Sequence, residues 1–225
     1  MPRRLRMASG GYVYHVLNRA VGRARLFHKS GDYAAFEKVL EEAKEWQPTR
    51  LLAYCFMPNH WHLLLWPEDD GDLSEFMRWL TVTHTQRWHA HRHTAGTGPL
   101  YQGRFKSFPI QDDDHFLSVC RYVERNALRA KLASNAEHWR WSSLWHRVHG
   151  GSGLLDAGPL ELPKDWVKRV NQAQSPAEVE ALRQCIARGS LYGDPLWRAK
   201  TVKKLGLEAT LRPRGRPRKK REKQL

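Results

Sequence analysis

The chain has 225 residues, of which 41% are hydrophobic, enough for one packed domain with additions. Its net charge of +15 and pI near 10.1 point to a polyanionic partner, nucleic acid ahead of an anionic membrane surface. No run of 18 apolar residues occurs, and the basic N-terminus leads no signal-type apolar stretch, so a membrane span is excluded and a cytoplasmic protein is expected.

Tyr12 to Asn18 alternates among β-formers and predicts a strand. A basic loop follows, and Ser30 can cap a helix from about Asp32 to Glu45, with Tyr33, Phe36, Leu40 and Ala43 on its apolar face. Leu51 to Phe56 is a second strand. Pro58-Asn59 turns the chain, and His60 to Trp66 is a third strand, antiparallel to the second because the connection is so short. Asp72 to about His91 is a helix with Leu73, Phe76, Met77, Leu80, His84 and Trp88 on one stripe. Phe105 to Ile110 is a fourth strand. Asp112, Asp113 and Asp114 open a helix to about Ala130, with acids at its positive end.

The order is β-α-β-β-α-β, and a further helix follows it. This predicts an α+β, ferredoxin-like antiparallel sheet of four or five strands with helices on one face, followed by a C-terminal helical extension. Three segments are expected: residues 1–132, a Trp-rich and helical extension at 133–206, and a basic tail at 207–225. In the extension, Pro176 to Arg188 and a second segment opened by Asp194-Pro195 read as helices. Residues 212–225 alone carry a net +7, leaving +8 elsewhere, so the folded part is basic too. Cys55, Cys120 and Cys185 are far apart with no C-x-x-C, which argues for buried thiols over zinc or disulfides. With ten tryptophans, some belong to the core and others can serve as platforms for unpaired bases.

Met57-Pro58-Asn59-His60-Trp61-His62 carries the chemistry. In a strand, His60 and His62 share one face and Trp61 takes the other. Two imidazoles can hold one ion with a third ligand from elsewhere. His-x-His is not specific alone, since His89/His91 and His91/His93 repeat it. On the 112–130 helix, Tyr122 and Asn126 are i and i+4 and therefore adjacent. A phenol beside an amide oxygen, on a helix packed over the histidines, would complete a nucleophile-plus-metal site; the alternative is a half-buried tyrosine whose hydroxyl finds a partner beside a surface asparagine. The ion, Mg²⁺ or Mn²⁺, would be held by His60, His62 and the Asn126 carbonyl oxygen and would polarise a phosphodiester. Attack by the phenolate then conserves bond energy in a covalent phosphotyrosine.

The run MPNHWHLLL, then LYQGRFKS at 100–107 and RYVERNALRAKL at 121–132, resembles the HUH single-tyrosine transposases, and most nearly the REP-associated tyrosine transposases of bacteria. The segment 188–219 is similar to the C-terminal part of that subgroup. The resemblance implies the HUH endonuclease fold, with His60, His62 and Asn126 as metal ligands and Tyr122 as the catalytic residue. Ala127 stands where the family usually has proline, so the helix is expected to continue smoothly. Tyr101, where the family usually shows tryptophan, lacks an i+4 amide and is the weaker nucleophile.

The implied substrate is single-stranded DNA, as REP hairpins, cleaved with a 5′-phosphotyrosine intermediate and transferred to another strand. Arg104, Lys106, Arg121, Arg125 and Arg129 are expected to hold its backbone. Arg214, Arg216 and Arg218 form an AT-hook-like tail that either enters a minor groove or adds salt-sensitive affinity. The protein is expected near the nucleoid, and both monomer and dimer fit. A silent DNA- or RNA-binding regulator on the same fold is the alternative, and an RNA-directed nuclease shares the site chemistry.

Overall fold

The computed structural model describes residues 8–150 and 153–211. Its elements run β1 (Val13–Arg19), α1 (Ser30–Trp46), β2 (Arg50–Met57), β3 (His60–Trp66), α2 (Asp72–Arg92), β4 (Lys106–Ile110), α3 (Asp114–Glu124), α4 (Asn126–Arg129), α5 (Ser143–His149), α6 (Trp166–Asn171), α7 (Pro176–Arg188) and α8 (Pro195–Lys204). No helix among the described residues is long and apolar enough to cross a membrane.

The four strands form one antiparallel sheet in the order β2-β3-β1-β4. Its strands are buried on both faces, which is why β2 reads as an unbroken apolar run rather than an alternation. Tyr14, Val16, Trp61, Leu63 and Leu65 face α1 and α2, against Phe36, Leu40, Phe76 and Leu80. Val13, Leu64, Phe108 and Ile110 face the other way, against Phe116, Val119 and Val123 of α3. The two helices of the β-α-β-β-α-β unit thus share one face, as expected. The helix that follows covers the opposite face.

Local signals place the ends. The Asp32 carboxylate accepts the His28 and Lys29 backbone N–H groups at the start of α1. Ser175 and Glu178 exchange the two hydrogen bonds of a capping box at α7. Gly189, at φ 66°, closes that helix in the left-handed conformation glycine accepts without strain.

The 112–130 helix is not continuous. It tightens at Arg125, whose N–H reaches both Arg121 O and Val123 O, and resumes as α4. The Arg125 side chain donates to the carbonyls of Val170 and Asn171 beyond it.

Residues beyond α4 cover both edges of the sheet. Phe56 N–H donates to Trp141 O and Tyr54 N–H to Ser143 Oγ along β2. Along β4, Tyr192 N–H donates to Pro109 O and Tyr192 O accepts from Gln111 N–H. These contacts occupy backbone groups that an open edge would offer to another chain. Leu144, Trp166, Val170, Leu182 and Cys185 bury in the same cluster as α3. All three cysteines are free and buried.

Candidate active site

Strand periodicity sets the two histidines. His60 and His62 project onto the α3 face, while Trp61 points into the opposite core, fully buried, with its Nε1–H donating to Tyr101 Oη at 3.0 Å. Tyr101 Oη also shares a hydrogen bond with His84 Nδ1 at 2.6 Å. Tyr101 therefore lies behind the sheet from the histidines, and burial pushes its phenol well above the ordinary range.

From the other side α3 brings Tyr122, whose ring stands at 85° to His62 with centroids 6.2 Å apart. One turn on, Asn126 is 3% exposed. Arg129 lies across this pair. Its guanidinium sits 4.2 Å from the centre of the Tyr122 ring and donates to Asn126 Oδ1 at 2.6 Å. The Tyr122 hydroxyl receives no hydrogen bond from any described residue. His60, His62, Tyr122, Asn126 and Arg129 line one cavity of about 410 Å³, with Arg183 and Ile186 of α7 also in its wall.

Burial lowers the His60 pKa to about 4, with the charges of Arg19 and Arg129 adding to the effect. Burial likewise holds His62 well below the usual imidazole range. Both are neutral at pH 7, the form that offers a lone pair to a metal. His15 and His84 are also pushed down by burial, each to about 3.

These histidines gain protons only on unfolding between pH 6.5 and about 4. The unfolded state therefore binds more protons in that window, and stability falls as pH falls through it. We expect the urea midpoint of metal-free protein to drop steadily from pH 7 to pH 4.5, with no further contribution from these groups above pH 7. A midpoint flat across that range would contradict the burial of these side chains.

Among the described residues, no three of His, Cys, Asp or Glu cluster as a metal cage. Any third ligand would have to be of another type, and Asn126 lines the same cavity as His60 and His62. The Asn126 carbonyl oxygen has two lone pairs and Arg129 occupies one, while its Nδ2 is buried without a partner. Two neutral imidazoles and an amide oxygen suit a divalent ion that keeps open positions.

The other basic residues divide. Arg121 donates to Gln172 O at 2.8 Å, and with Arg125 it fastens α3 to the C-terminal end of α6. Arg104 and Lys106 are exposed and line a second cavity of about 240 Å³, which shares Leu17, Arg19 and Ile186 with the first. A third, of about 570 Å³, continues from Asn18, Gly103 and Arg104 to Arg78 and Gln86 on α2. The three cavities neighbour one another through these shared residues, and Arg129, Arg183, Arg19, Lys106, Arg104 and Arg78 make this lining a basic groove-like surface. Arg214, Arg216 and Arg218 lie outside the described residues.

Sequence reasoning missed Arg19, Arg183 and His15. The alternation of β1 puts His15 on the face of Val13 and Leu17, but only the register with β3 brings it to His62.

Residues 9–126 match the family described as "Transposase IS200 like". The chain belongs to the IS200-like transposase family. Members of this family are DNA-cleaving tyrosine transposases, and the matched span holds His60, His62, Tyr122 and Asn126. This IS200-like transposase is 24% identical over 139 residues to a Haemophilus influenzae protein described as a REP-associated tyrosine transposase, covering 58% of this chain and 74% of that one. Its fold matches the structure of a REP-associated tyrosine transposase bound to a REP hairpin, with a TM-score of 0.57 and 19% identity over 78% of this chain and 93% of the other. These likenesses agree with the resemblance carried by the sequence motifs.

Proposed function

We propose that this transposase is a metal-dependent single-strand DNA endonuclease and strand transferase acting on REP-type hairpins. The observation that carries the reading is the convergence of Tyr122, His60, His62 and Asn126, from opposite layers of the fold, on one cavity. Mg²⁺ or Mn²⁺ held by His60, His62 and Asn126 would polarise the scissile phosphodiester and offset charge as it develops.

The protein's own groups do the rest. The Tyr122 oxygen loses its proton and bonds to phosphorus. The bond from phosphorus to the 3′ oxygen breaks, and that oxygen leaves as a 3′-OH after taking up a proton. The DNA 5′ end stays on Tyr122. Reversal by another 3′-OH rejoins strands with the number of phosphodiester bonds unchanged. Arg129 places a fixed positive charge beside the reacting phosphate. The hairpin partner itself is supported by the likeness to the hairpin-bound relative and by the charge of the groove.

The test uses a labelled hairpin with single-stranded flanks, incubated with the full chain and Mn²⁺ and, separately, with a chelator. A covalent adduct that needs the metal is expected. Hairpin binding with no adduct under any divalent ion would instead favour a silent binding regulator.

The groove gives a second expectation. Arg104→Ala with Lys106→Ala should weaken binding of the flanked hairpin. The slope of log K against log salt should become shallower by about 0.7 for each single-strand phosphate that the protein no longer neutralises. An unchanged slope in a titration from low to moderate salt would remove these residues from the DNA path.

A further inference from the structure

His15 is a buried polar residue in the middle of an apolar strand face. It sits between Val13 and Leu17 on β1, fully enclosed. Phe108 stands at 80° to its ring, 5.0 Å away. Its only hydrogen-bond partner among the described residues is His62, with His15 Nε2 and His62 Nδ1 2.8 Å apart. The other ring nitrogen, Nδ1, is buried with no partner.

The pairing register accounts for the contact. His15 lies opposite Leu64 and Leu17 opposite His62, so the two histidines are diagonal neighbours on one face. Their rings are within 5° of parallel with centroids 4.9 Å apart. With the facing nitrogens only 2.8 Å apart, parallel rings at that separation meet edge to edge in nearly one plane. That is an in-line hydrogen bond, and it removes Nδ1 of His62 from any other use. His60 is treated alike. Its Nδ1 donates to Asn59 Oδ1 at 2.6 Å, an acceptor from the adjoining turn. Each candidate ligand thus has its Nδ1 engaged and only its Nε2 left over.

We propose that His15 and Asn59 are positioning residues that hold His62 and His60 with Nε2 as the metal-binding atom. The inference rests on the metal reading above. Ligand histidines are oriented, and their tautomer fixed, by the group that receives the other ring N–H. With His62 Nδ1 protonated, His15 Nε2 must accept, so the His15 proton sits on Nδ1. An apolar side chain at position 15 would fill the same space among Val13, Leu17 and Phe108 and remove the unpaired His15 Nδ1, but it would leave His62 Nδ1 without its partner. What the histidine adds is an acceptor in the plane of the His62 ring.

The test is Mn²⁺ binding to the full chain without DNA, read from the loss of the free-ion electron paramagnetic resonance signal. Wild type is compared with His62→Ala, His15→Leu, His15→Gln and Asn59→Ala. We expect His62→Ala to lose binding. His15→Leu and Asn59→Ala should each weaken it about ten- to hundredfold, and His15→Gln, which still offers an acceptor oxygen, should recover part of the loss.

Unchanged binding in His62→Ala would overturn the metal reading and this inference with it. Lost binding in His62→Ala, with His15→Leu and Asn59→Ala within twofold of wild type, would overturn the inference alone. Long-range ¹H–¹⁵N correlation spectra of the metal-free chain give an independent readout that a merely structural role would not move. His60 and His62 should both appear as Nδ1–H tautomers in the wild type, with His62 becoming a mixture in His15→Leu. A thermal midpoint for His15→Leu close to wild type is expected alongside, because one unpaired buried nitrogen replaces another. A large drop in that midpoint, with tautomers and Mn²⁺ affinity unchanged, would make His15 a packing residue only.

Discussion

Tyr122→Phe is expected to keep the fold and abolish the covalent protein–DNA adduct. The ring packs edge-on to His62 and His15 and beneath the Arg129 guanidinium, and phenylalanine keeps all three neighbours. The hydroxyl takes no hydrogen bond to a described residue away with it. The stability change should stay within about 0.5 kcal/mol, as for substitutions that break no buried feature. The nucleophile is gone, so adduct should fall below detection in denaturing gels with labelled hairpin and Mn²⁺.

Tyr101→Phe is the matched control and should behave in the opposite way. It strands the Trp61 indole N–H and His84 Nδ1, both buried, at a cost of about 1–3 kcal/mol. Adduct formation should survive it at temperatures below the lowered midpoint. A persisting adduct in Tyr122→Phe would exclude Tyr122 as the nucleophile.

Glu124→Ala should be among the most damaging single changes to stability. Glu124 is fully buried at the end of α3 and receives three donors: Ser143 Oγ at 2.6 Å, Trp166 Nε1 at 2.6 Å and Arg147 Nε at 2.9 Å. These tie α3 to α5 and α6. Arg147 also donates to Leu52 O of β2, so its guanidinium cannot swing out to water without breaking that bond. Removing the carboxylate leaves three donors unpaired, the enclosed Ser143 hydroxyl and Trp166 indole and the partly buried Arg147 guanidinium, which together cost about 3–5 kcal/mol. For a protein of this length that corresponds to a fall in melting temperature of roughly 6–20 °C. Scanning calorimetry measures it, and a loss below about 1 kcal/mol would mean that Arg147 finds another partner. Adduct yield should fall with the folded fraction, because α3 carries Tyr122.

Much of the site was legible because it depends on short-range geometry. The period of two in β3 sets His60 and His62 on one face, and the helical period places Asn126 one turn after Tyr122. The turn at Pro58-Asn59 and the proline at position 67 bound β3 so sharply that its predicted and observed ends coincide. What was not legible depends on contacts between distant segments. His15 and His62 are 47 residues apart, and only strand pairing joins them. Arg121 and Arg125 read as contacts to a DNA backbone, yet carbonyls about 50 residues on receive them. The groove's Arg183 comes from α7, which sequence periodicity places as a helix but not over the cavity. α5 and α6 have seven and six residues, too few turns for an apolar period to stand out. The tryptophans divide for the same reason. Trp61 and Trp166 are core, Trp145 lies beneath Arg140 and beside His149, and Trp46 is 60% exposed.

The most direct measurement is the identity of the residue that carries DNA. The wild-type chain is reacted with a flanked hairpin in Mn²⁺, then digested with nuclease and protease, and the nucleotide-bearing peptide is sequenced by mass spectrometry. The account predicts a nucleotide joined through its 5′ phosphate to Tyr122. A nucleotide on Tyr101 or any other side chain, or one joined through its 3′ phosphate, would contradict it.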